Sequence, residues 1–329
     1  CKRVPGFQSD AGERAGHGVL DTLIPLLAYR ILEETAGRLP VPFGVTCAAC
    51  ARDEKGPAGR PDLGRMEPLD GFFAAYRTGP AFARVRPRYH THTRVALSPH
   101  RRAAAEGMIY TTTALAPSDA TGDCADAAPV VYVGRVAGPA ERLDELLEAV
   151  RETAIGGMRT RGYGALEVRE LALELPPVEE RVRRFNDCLA TLWSDLRRLA
   201  ANRDALPTTP PGRYFSVDLL APGVFRERGL PTLLPSLTPR HPPPAEPVLW
   251  LTRPDTAAGW SEAWGLPKPT ALAARMGSTY VYRWTGPDAD AALVDFVAGL
   301  EDRGVGERTD EGFGECWICH PFHLEVEER

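Results

Sequence analysis

The sequence predicts an α+β fold in which one supersecondary unit is used twice. The first observation is a pair of glycine-rich segments, the first glycine loop (residues 156–164) and the second glycine loop (residues 304–314). Each follows a stretch of helical periodicity and precedes a strand-like run, so each should connect a helix to a strand. The second observation is that their endings, Gly162-Tyr163-Gly164 and Gly312-Phe313-Gly314, lie 150 residues apart.

Apolar residues recurring every three or four positions predict the helices, and runs of β-branched and aromatic residues predict the strands. In the first half these are a helix over 19–36, an extended stretch over 82–98, β-forming runs over 107–115 and 129–136, a helix from Pro139, a strand around 165–173 and a helix over about 177–201. In the second half they are a strand near 213–221, a strand over 278–284, a helix over 288–302 and a strand over 315–325.

The predicted elements follow the order of a ferredoxin-like (RRM-like) unit. That order is strand, optional helix, strand, strand, helix, loop and strand. The Pro/Gly-rich stretch 206–212 predicts a boundary between a first domain over 1–205 and a second over 206–329. The first domain lacks its opening strand in this reading, and because the chain begins with Cys1 we expect that the natural start is missing. The high proline and glycine content predicts long loop insertions on a compact scaffold.

Composition restricts the classes of function. The 329 residues suffice for two domains with cores, and 43% hydrophobic and 25% charged residues are ordinary globular values. A net charge of −5 means that any nucleic-acid contact must be local. No apolar run reaches the length of a membrane span, and no signal peptide opens the sequence. Seven cysteines, an odd number, favour a reducing cytoplasm over a disulfide framework.

The strongest local signal is a row of basic residues at every second position. Alternate side chains share one face of a strand at about 6.6 Å spacing, so the row could follow a phosphate backbone. No acidic residue occurs from Gly71 to Ala105 to neutralise it. A charged edge strand is the alternative, and Pro87 favours it. The row consists of Arg84, Arg86, Arg88, His90, His92 and Arg94.

The first glycine loop is the second candidate RNA-binding element. Glycine lets backbone amides approach a ligand and form an anion-binding concavity, and arginines with a tyrosine add charge and a stacking face. A tight turn is the alternative. The absence of a Gly-Lys-Ser/Thr ending excludes a P-loop, and the helix-to-strand order excludes a dinucleotide fingerprint. The candidate residues are Gly156, Gly157, Arg159, Arg161, Gly162, Tyr163 and Gly164.

The spacing of Cys47 and Cys50 is that of a zinc knuckle. A structural zinc needs four ligands, and Cys1 and His17 are the remaining local candidates. We therefore expect a zinc-stapled, cysteine-containing insertion over 40–66, with two free thiols as the alternative. Three further patterns have plain interpretations: Cys316 and Cys319 lie on opposite faces of a strand, His320 and His323 end that strand, and Asp21 caps a helix or shares a metal with His17.

These motifs resemble a known family. The first glycine loop and its repeat resemble the glycine-rich loops of the repeat-associated mysterious protein (RAMP) superfamily of CRISPR-Cas systems. His92-Thr93-Arg94 with Glu106–Tyr110 is similar to the strand-and-hairpin signature of that group. Cys1-Lys2-Arg3, His17–Leu23 and Cys47–Cys50 look like the type III-D subunit at the 5′ end of the guide RNA.

The resemblance implies a non-catalytic or weakly catalytic scaffold with two RAMP domains. Such a subunit holds the 5′ handle of the guide RNA (crRNA), contacts neighbouring backbone subunits and the large polymerase-like subunit, and meets target RNA indirectly. The resemblance assigns the handle-binding role to the first glycine loop together with Arg94. The alternative is a RAMP endoribonuclease that processes guide precursors with His90 or His92 as acid or base.

Overall fold

The computed structural model describes fourteen stretches of the chain, in which contacts define two compact units. The first unit comprises Cys1–Val85 and Pro176–Arg329, and the second comprises Arg86–Leu175. The boundary predicted between residues 205 and 206 separates the two copies of the sequence repeat, whereas these two units are defined by contacts. The predicted boundary therefore stays a prediction. The described residues are 2–3, 18–19, 21–37, 39, 43, 72–75, 82–85, 89–116, 131–136, 138–153, 155–171, 175–238, 243–261 and 263–324.

The fold is α+β, as predicted, and four helices lie in the described residues. Each of them falls, to within one residue at its end, inside a stretch where the apolar periodicity predicts a helix. Their bounds are α1 Leu23–Ala36, α2 Ala140–Glu152, α3 Val178–Leu196 and α4 Asp290–Arg303.

The strands are mostly short, and all strand pairs among the described residues are antiparallel. Their bounds are β1 Lys2–Arg3, β2 Gly18–Val19, β3 Phe72–Ala75, β4 Phe82–Val85, β5 Tyr89–Ser98, β6 Ala103–Leu115, β7 Tyr214–Leu219, β8 Phe225–Glu227, β9 Leu230–Thr232, β10 Ala245–Leu251, β11 Pro254–Ala257, β12 Trp260–Ser261, β13 Leu266–Pro267, β14 Ala271–Ala274, β15 Thr279–Trp284 and β16 Cys316–Ile318.

The main sheet of the first unit has four strands in the order β10-β15-β7-β16. Strand β7 lies inside it, with Phe215 opposite Tyr282 of β15. Helix α4 joins β15 to β16 and packs on the sheet through Phe296, whose ring lies 6.4 Å from Phe215 and 5.4 Å from Trp284. Strands β1, β2, β4 and β3 form a second sheet in that order.

Helices α1 and α3 contact each other and complete the core of the first unit. Along α3 the apolar residues recur at helical spacing, and Phe185, Leu189 and Trp193 are fully buried. On α1 the same is true of Leu27 and Leu32. Burial of these side chains, each worth about 1.5–3 kcal/mol, explains why both helices follow their sequence periodicity closely.

The second unit contains the β5–β6 hairpin, helix α2 and the first glycine loop. The long hairpin pairs Tyr89 with Leu115 at one end and Ser98 with Ala103 at the turn. Strand register shifts between Val95 and Leu97, where the sheet bulges. None of the residues of α2 is buried.

Three strand predictions differ from the structure. Residues 131–136 and 165–171 form no strand, and the predicted strand over 315–325 is limited to Cys316–Ile318. Strand formation depends on a pairing partner as much as on local propensity. After Ile318 the backbone turns away, because Cys319 takes a left-handed conformation with φ of 48°.

One finding bears on membranes. Among the described helices, none is long and apolar enough to cross a bilayer.

Candidate nucleic-acid interface

Three of the six residues of the predicted basic row lie along one strand in the structure. His90, His92 and Arg94 alternate along β5 and are all exposed, with the two imidazole centroids 6.3 Å apart. Directly opposite them on β6 lie Ala114, Thr112 and Tyr110, which share the same face because paired residues point to the same side of a sheet. We call this surface the basic face of the hairpin.

The prediction that all six basic residues lie on one strand is wrong. Arg84 belongs to β4, which ends at Val85 and pairs with β2 and β3, whereas β5 begins at Tyr89 and pairs with β6. Residues 86–88 lie outside the described part of the chain, so the predicted sites Arg86 and Arg88 stay predictions.

The first glycine loop is a tightly closed turn. The N–H of Ile155 donates to the carbonyl of Gly164 at 2.9 Å and closes its neck. Between them, Arg159–Arg161 forms one turn of 3₁₀ helix, flanked by the left-handed residues Met158 and Gly162. At Gly164 a Cβ would overlap the carbonyl oxygen of Ile155, so glycine is required there.

Tyr163 joins the loop to the basic face of the hairpin. Arg94 Nη2 donates to the hydroxyl of Tyr163 at 2.8 Å, and the same hydroxyl lies 3.3 Å from Thr112 Oγ1. Tyr163 thereby covers Thr112, which is only 4% exposed although its hairpin is otherwise open. The structure thus brings together two elements that the sequence predicted separately.

A second contact pairs an arginine of the loop with an aromatic ring of the hairpin. The guanidinium of Arg161 lies over the ring of Tyr110 at 5.0 Å, and that of Arg94 lies over Tyr163 at 5.4 Å. Such cation–π contacts hold charged groups beside flat rings. Within the described residues Arg94, Arg159 and Arg161 form no ion pair, so their charges are not neutralised locally.

The second glycine loop repeats the backbone of the first. Its neck closes through Val305 and Gly314 at 2.9 Å, and its 3₁₀ turn Thr309–Glu311 lies between the left-handed residues Arg308 and Gly312. Every one of these positions corresponds to the first loop at a constant shift of 150 residues. The predicted repeat of the loop is therefore confirmed in its conformation.

The two loops use this backbone differently. In the second loop the N–H groups of Glu307 and Gly314 donate to the carbonyls of Val224 and Pro222, at 2.8 and 2.9 Å. In the first loop the equivalent N–H groups, those of Gly157 and Gly164, have no acceptor among the described residues. A Cβ at Gly156, Gly157 or Gly162 would meet no atom within 4 Å, so this side of the loop is open.

The two glycine loops also differ in their charged groups. Glu311 accepts hydrogen bonds from Arg308 at 2.8 Å and Lys268 at 2.7 Å, and these bonds lower the pKa of Glu311 to about 2. The equivalent position in the first loop is Arg161. The second loop is thus bonded to its own chain through its amides and its charged groups. Among the residues that the structure describes, the amides of Gly157 and Gly164 have no acceptor and the arginines of the first loop have no ion pair.

The predicted zinc ligands Cys1, His17, Cys47 and Cys50 lie outside the described residues. Among the residues that the structure does describe, no group of three or more histidine, cysteine or acidic side chains could hold a metal ion. The zinc site therefore stays a prediction.

Sequence reasoning missed a buried cluster of charged residues in the first unit. His323 is bonded through Nδ1 to Asp21 Oδ2 and through Nε2 to Asp218 Oδ1, the latter at 2.8 Å. Asp218 also accepts hydrogen bonds from the hydroxyls of Ser216 and Thr279, each at 2.7 Å. All three ionisable side chains are about nine-tenths buried.

The electrostatics of this cluster hold His323 in its charged form. Burial alone would lower the pKa of His323, but the charges and hydrogen bonds of Asp218 and Asp21 raise it well above 6.5. Burial would likewise raise the pKa of Asp218, but the charge of His323 and its hydrogen bond lower it to about 2. Both imidazole nitrogens are occupied by carboxylates, so this histidine is suited to structure rather than to proton transfer with a substrate. The prediction that His323 ends the strand is wrong, because this residue lies in a 3₁₀ turn, Pro321–His323, beyond β16.

Comparison with known proteins gives no match, neither to a protein-family model nor to a curated protein sequence. The assignment of a function therefore depends on the geometry of the interface, and the resemblance of the motifs to the RAMP superfamily stays a prediction.

Proposed function

We propose that this chain is a non-catalytic RNA-binding subunit of a type III CRISPR effector complex, and that it anchors the 5′ handle of the guide RNA. In this proposal it is a RAMP protein that acts in cytoplasmic antiviral defence. It contacts neighbouring RAMP backbone subunits and the large polymerase-like subunit, and it meets target RNA through the guide.

One observation carries the proposal: Tyr163 of the first glycine loop is hydrogen-bonded to Arg94 on the basic face of the hairpin. This contact places the amides of Gly157 and Gly164 in one unit with His90, His92 and three arginines that form no ion pair among the described residues. Backbone amides and guanidinium groups are the donors that proteins use to hold phosphate oxygens. The surface therefore matches a polyanion, although the whole chain carries a net charge of −5.

The aromatic rings favour a single-stranded RNA over a duplex. Unpaired bases stack on aromatic side chains and on guanidinium planes, and Tyr110 and Tyr163 both lie beside an arginine. The repeat-derived 5′ handle of a guide RNA is a ligand of this kind.

Two features of the fold support the RAMP assignment. Counting β7, β10, β15 and β16 as strands one to four, the sheet order is 4-1-3-2, which is that of a ferredoxin-like (RRM-like) unit. In the described chain β8 and β9 lie between the first two strands, while α4 joins the last two. The recurrence of one loop conformation after 150 residues supports a second such domain in the first half.

The proposal is tested by titrating the chain with a handle-containing RNA across a range of salt concentrations. Replacing both Arg159 and Arg161 by alanine should remove two phosphate contacts. For a single strand this lowers the slope of log affinity against log salt by about 1.4. We expect at least a tenfold loss of affinity at low salt.

The matched control is the double variant of Arg142 and Arg169, two exposed arginines of the same unit that are already paired with Glu145 and Glu167. It changes the net charge equally but should leave binding nearly unchanged. Equal losses in both double variants would contradict a specific role for the first glycine loop. Cleavage of repeat RNA in the presence of a chelator would favour the alternative, a RAMP endoribonuclease using His90 or His92.

The structural zinc belongs to the same proposal. Cys1, His17, Cys47 and Cys50 supply the thiolate and imidazole donors that zinc prefers. Metal analysis of the purified chain should find one zinc, and the variant with serine at Cys47 and Cys50 should lose it. Retention of zinc by that variant would contradict the ligand set.

A further inference from the structure

Three successive threonines on β6 differ in their surroundings. Thr111 and Thr113 are exposed, whereas Thr112 between them is only 4% exposed. Because alternate side chains of a strand point to opposite faces, Thr112 lies on the basic face of the hairpin and its two neighbours lie on the other face. A buried hydroxyl group needs hydrogen-bond partners, so the contacts of Thr112 show what it does.

The hydroxyl of Thr112 has two partners. Thr112 Oγ1 donates to the backbone carbonyl of His92, its pairing partner on β5, at 3.4 Å. The same oxygen lies 3.3 Å from the hydroxyl oxygen of Tyr163, in the first glycine loop. A hydroxyl group has one proton to donate and lone pairs that accept. Since the proton of Thr112 is directed to His92, the proton between Thr112 and Tyr163 must come from Tyr163.

The direction of these bonds determines how Tyr163 meets Arg94. The Tyr163 hydroxyl gives its one proton to Thr112, so it is the acceptor for Nη2 of Arg94, at 2.8 Å. The bonds therefore run in one direction, from the guanidinium through both hydroxyls to the carbonyl of His92. Hydrogen bonds that run in one direction polarise and strengthen one another. We call the hydroxyls of Tyr163 and Thr112 the hydroxyl bridge.

The hydroxyl bridge leaves most donors of Arg94 available to a ligand. A guanidinium has five N–H groups, and the bond to Tyr163 uses one of them. Arg94 forms no ion pair among the described residues. Paired N–H groups of a guanidinium bind two phosphate oxygens at once, provided that the flat group is correctly oriented.

We propose that Thr112 is a positioning residue for RNA binding: through Tyr163 it fixes the guanidinium of Arg94, which binds a phosphate group of the handle. This inference rests on the proposed function and adds to it the residue that orients Arg94. Thr112 is itself covered by Tyr163 and does not contact the RNA. Because fixing a long side chain costs conformational entropy on binding, an arginine that is already held binds phosphate more tightly.

The sequence offers closely matched variants for the test. Thr112→Val keeps the β-branched shape that favours a strand but removes the hydroxyl, whereas Thr112→Ser keeps the hydroxyl. Thr113→Val is the control, because Thr113 is the next residue of the same strand and is exposed on the other face.

The affinity for handle RNA is measured by filter binding. Thr112→Val should weaken binding about threefold to tenfold, whereas Thr112→Ser and Thr113→Val should bind as tightly as wild type. Once Arg94→Ala is present, Thr112→Val should change the affinity by less than about twofold, because residues that act through one another are not additive. An unchanged affinity in Thr112→Val would overturn the proposal. So would an equal loss in Thr112→Ser or Thr113→Val, or an undiminished effect in the presence of Arg94→Ala.

Hydrogen exchange of the RNA-free chain tests the same contact without RNA. Thr112→Val should raise the deuterium uptake of the first glycine loop above that of wild type, and Thr113→Val should not. Equal uptake in all three proteins would overturn the positioning role. A wild-type chain that binds no handle RNA would contradict the proposed function and this inference together. Tight binding that is insensitive to Thr112→Val would contradict this inference alone.

Discussion

Replacing His323 by glutamine should strongly destabilise the first unit. The substitution removes one positive charge and leaves Asp21 and Asp218 buried without it. Breaking a buried ion pair by removal of one partner costs about 3–5 kcal/mol. The pKa of Asp218 gives part of this figure: its fall from 3.8 to about 2 corresponds to about 2 kcal/mol of stability at neutral pH.

The stabilisation that this ion pair gives should decrease at both high and low pH, for different reasons. His323 has a raised pKa in the folded chain, so its contribution is complete below 6.5, its ordinary value, and is lost as the pH rises through the folded value. Asp218 has a lowered pKa, so its contribution is complete above 3.8 and is lost as the pH falls towards 2. The difference in stability between wild type and variant should therefore be largest between about pH 4 and 6.5.

Urea denaturation of both proteins at a series of pH values measures this difference. Asp21→Asn is a milder companion, because it leaves His323 paired with Asp218, and it should cost less than His323→Gln. A difference below 1 kcal/mol that is also constant from pH 4 to 9 would refute the electrostatic reasoning.

Three further predictions concern packing and the interface. Arg181→Ala removes a buried guanidinium that is bonded to Glu301 at 2.7 and 2.8 Å. The free energy of unfolding, measured by urea denaturation, should fall by about 3 kcal/mol. A fall of less than about 1 kcal/mol would contradict the buried pairing. Gly314→Ala should cost at least twice as much as Gly312→Ala by the same measurement, because both have positive φ but only at Gly314 would a Cβ overlap a backbone carbonyl; equal losses would refute this. Tyr163→Phe keeps the ring but loses the hydroxyl that is bonded to Arg94 of the hairpin. The affinity for handle RNA, measured by filter binding, should therefore fall about threefold to tenfold. An unchanged affinity would contradict the positioning role of Tyr163.

The sequence predicts helices and loops well, for local physical reasons. The apolar period along α3 identified the buried side chains Phe185 and Leu189, because one face of a helix packs as a stripe. The glycines of the two loops were equally informative. Left-handed backbone and close contact with a carbonyl, as at Gly164 and Gly314, strongly favour glycine, so the residue type itself indicates the conformation.

What the sequence could not predict depends on pairing between distant residues. Residues 165–171 have strand-forming side chains but no strand partner in the described structure. The bond between Asp21 and His323 joins positions 302 residues apart, and no local pattern indicates that these two residues meet. The contact of Tyr163 with Arg94 is a second example, because the sequence indicates each residue separately but not their contact.

The most direct test of the central claim is to crosslink a photoreactive handle RNA to the chain and to map the modified peptides by mass spectrometry. The account predicts crosslinks at Tyr110 and Tyr163, with His90 or His92 beside them, and predicts that excess unlabelled handle RNA removes them. Crosslinks confined to the first unit, with none on the hairpin or the first glycine loop, would contradict the account.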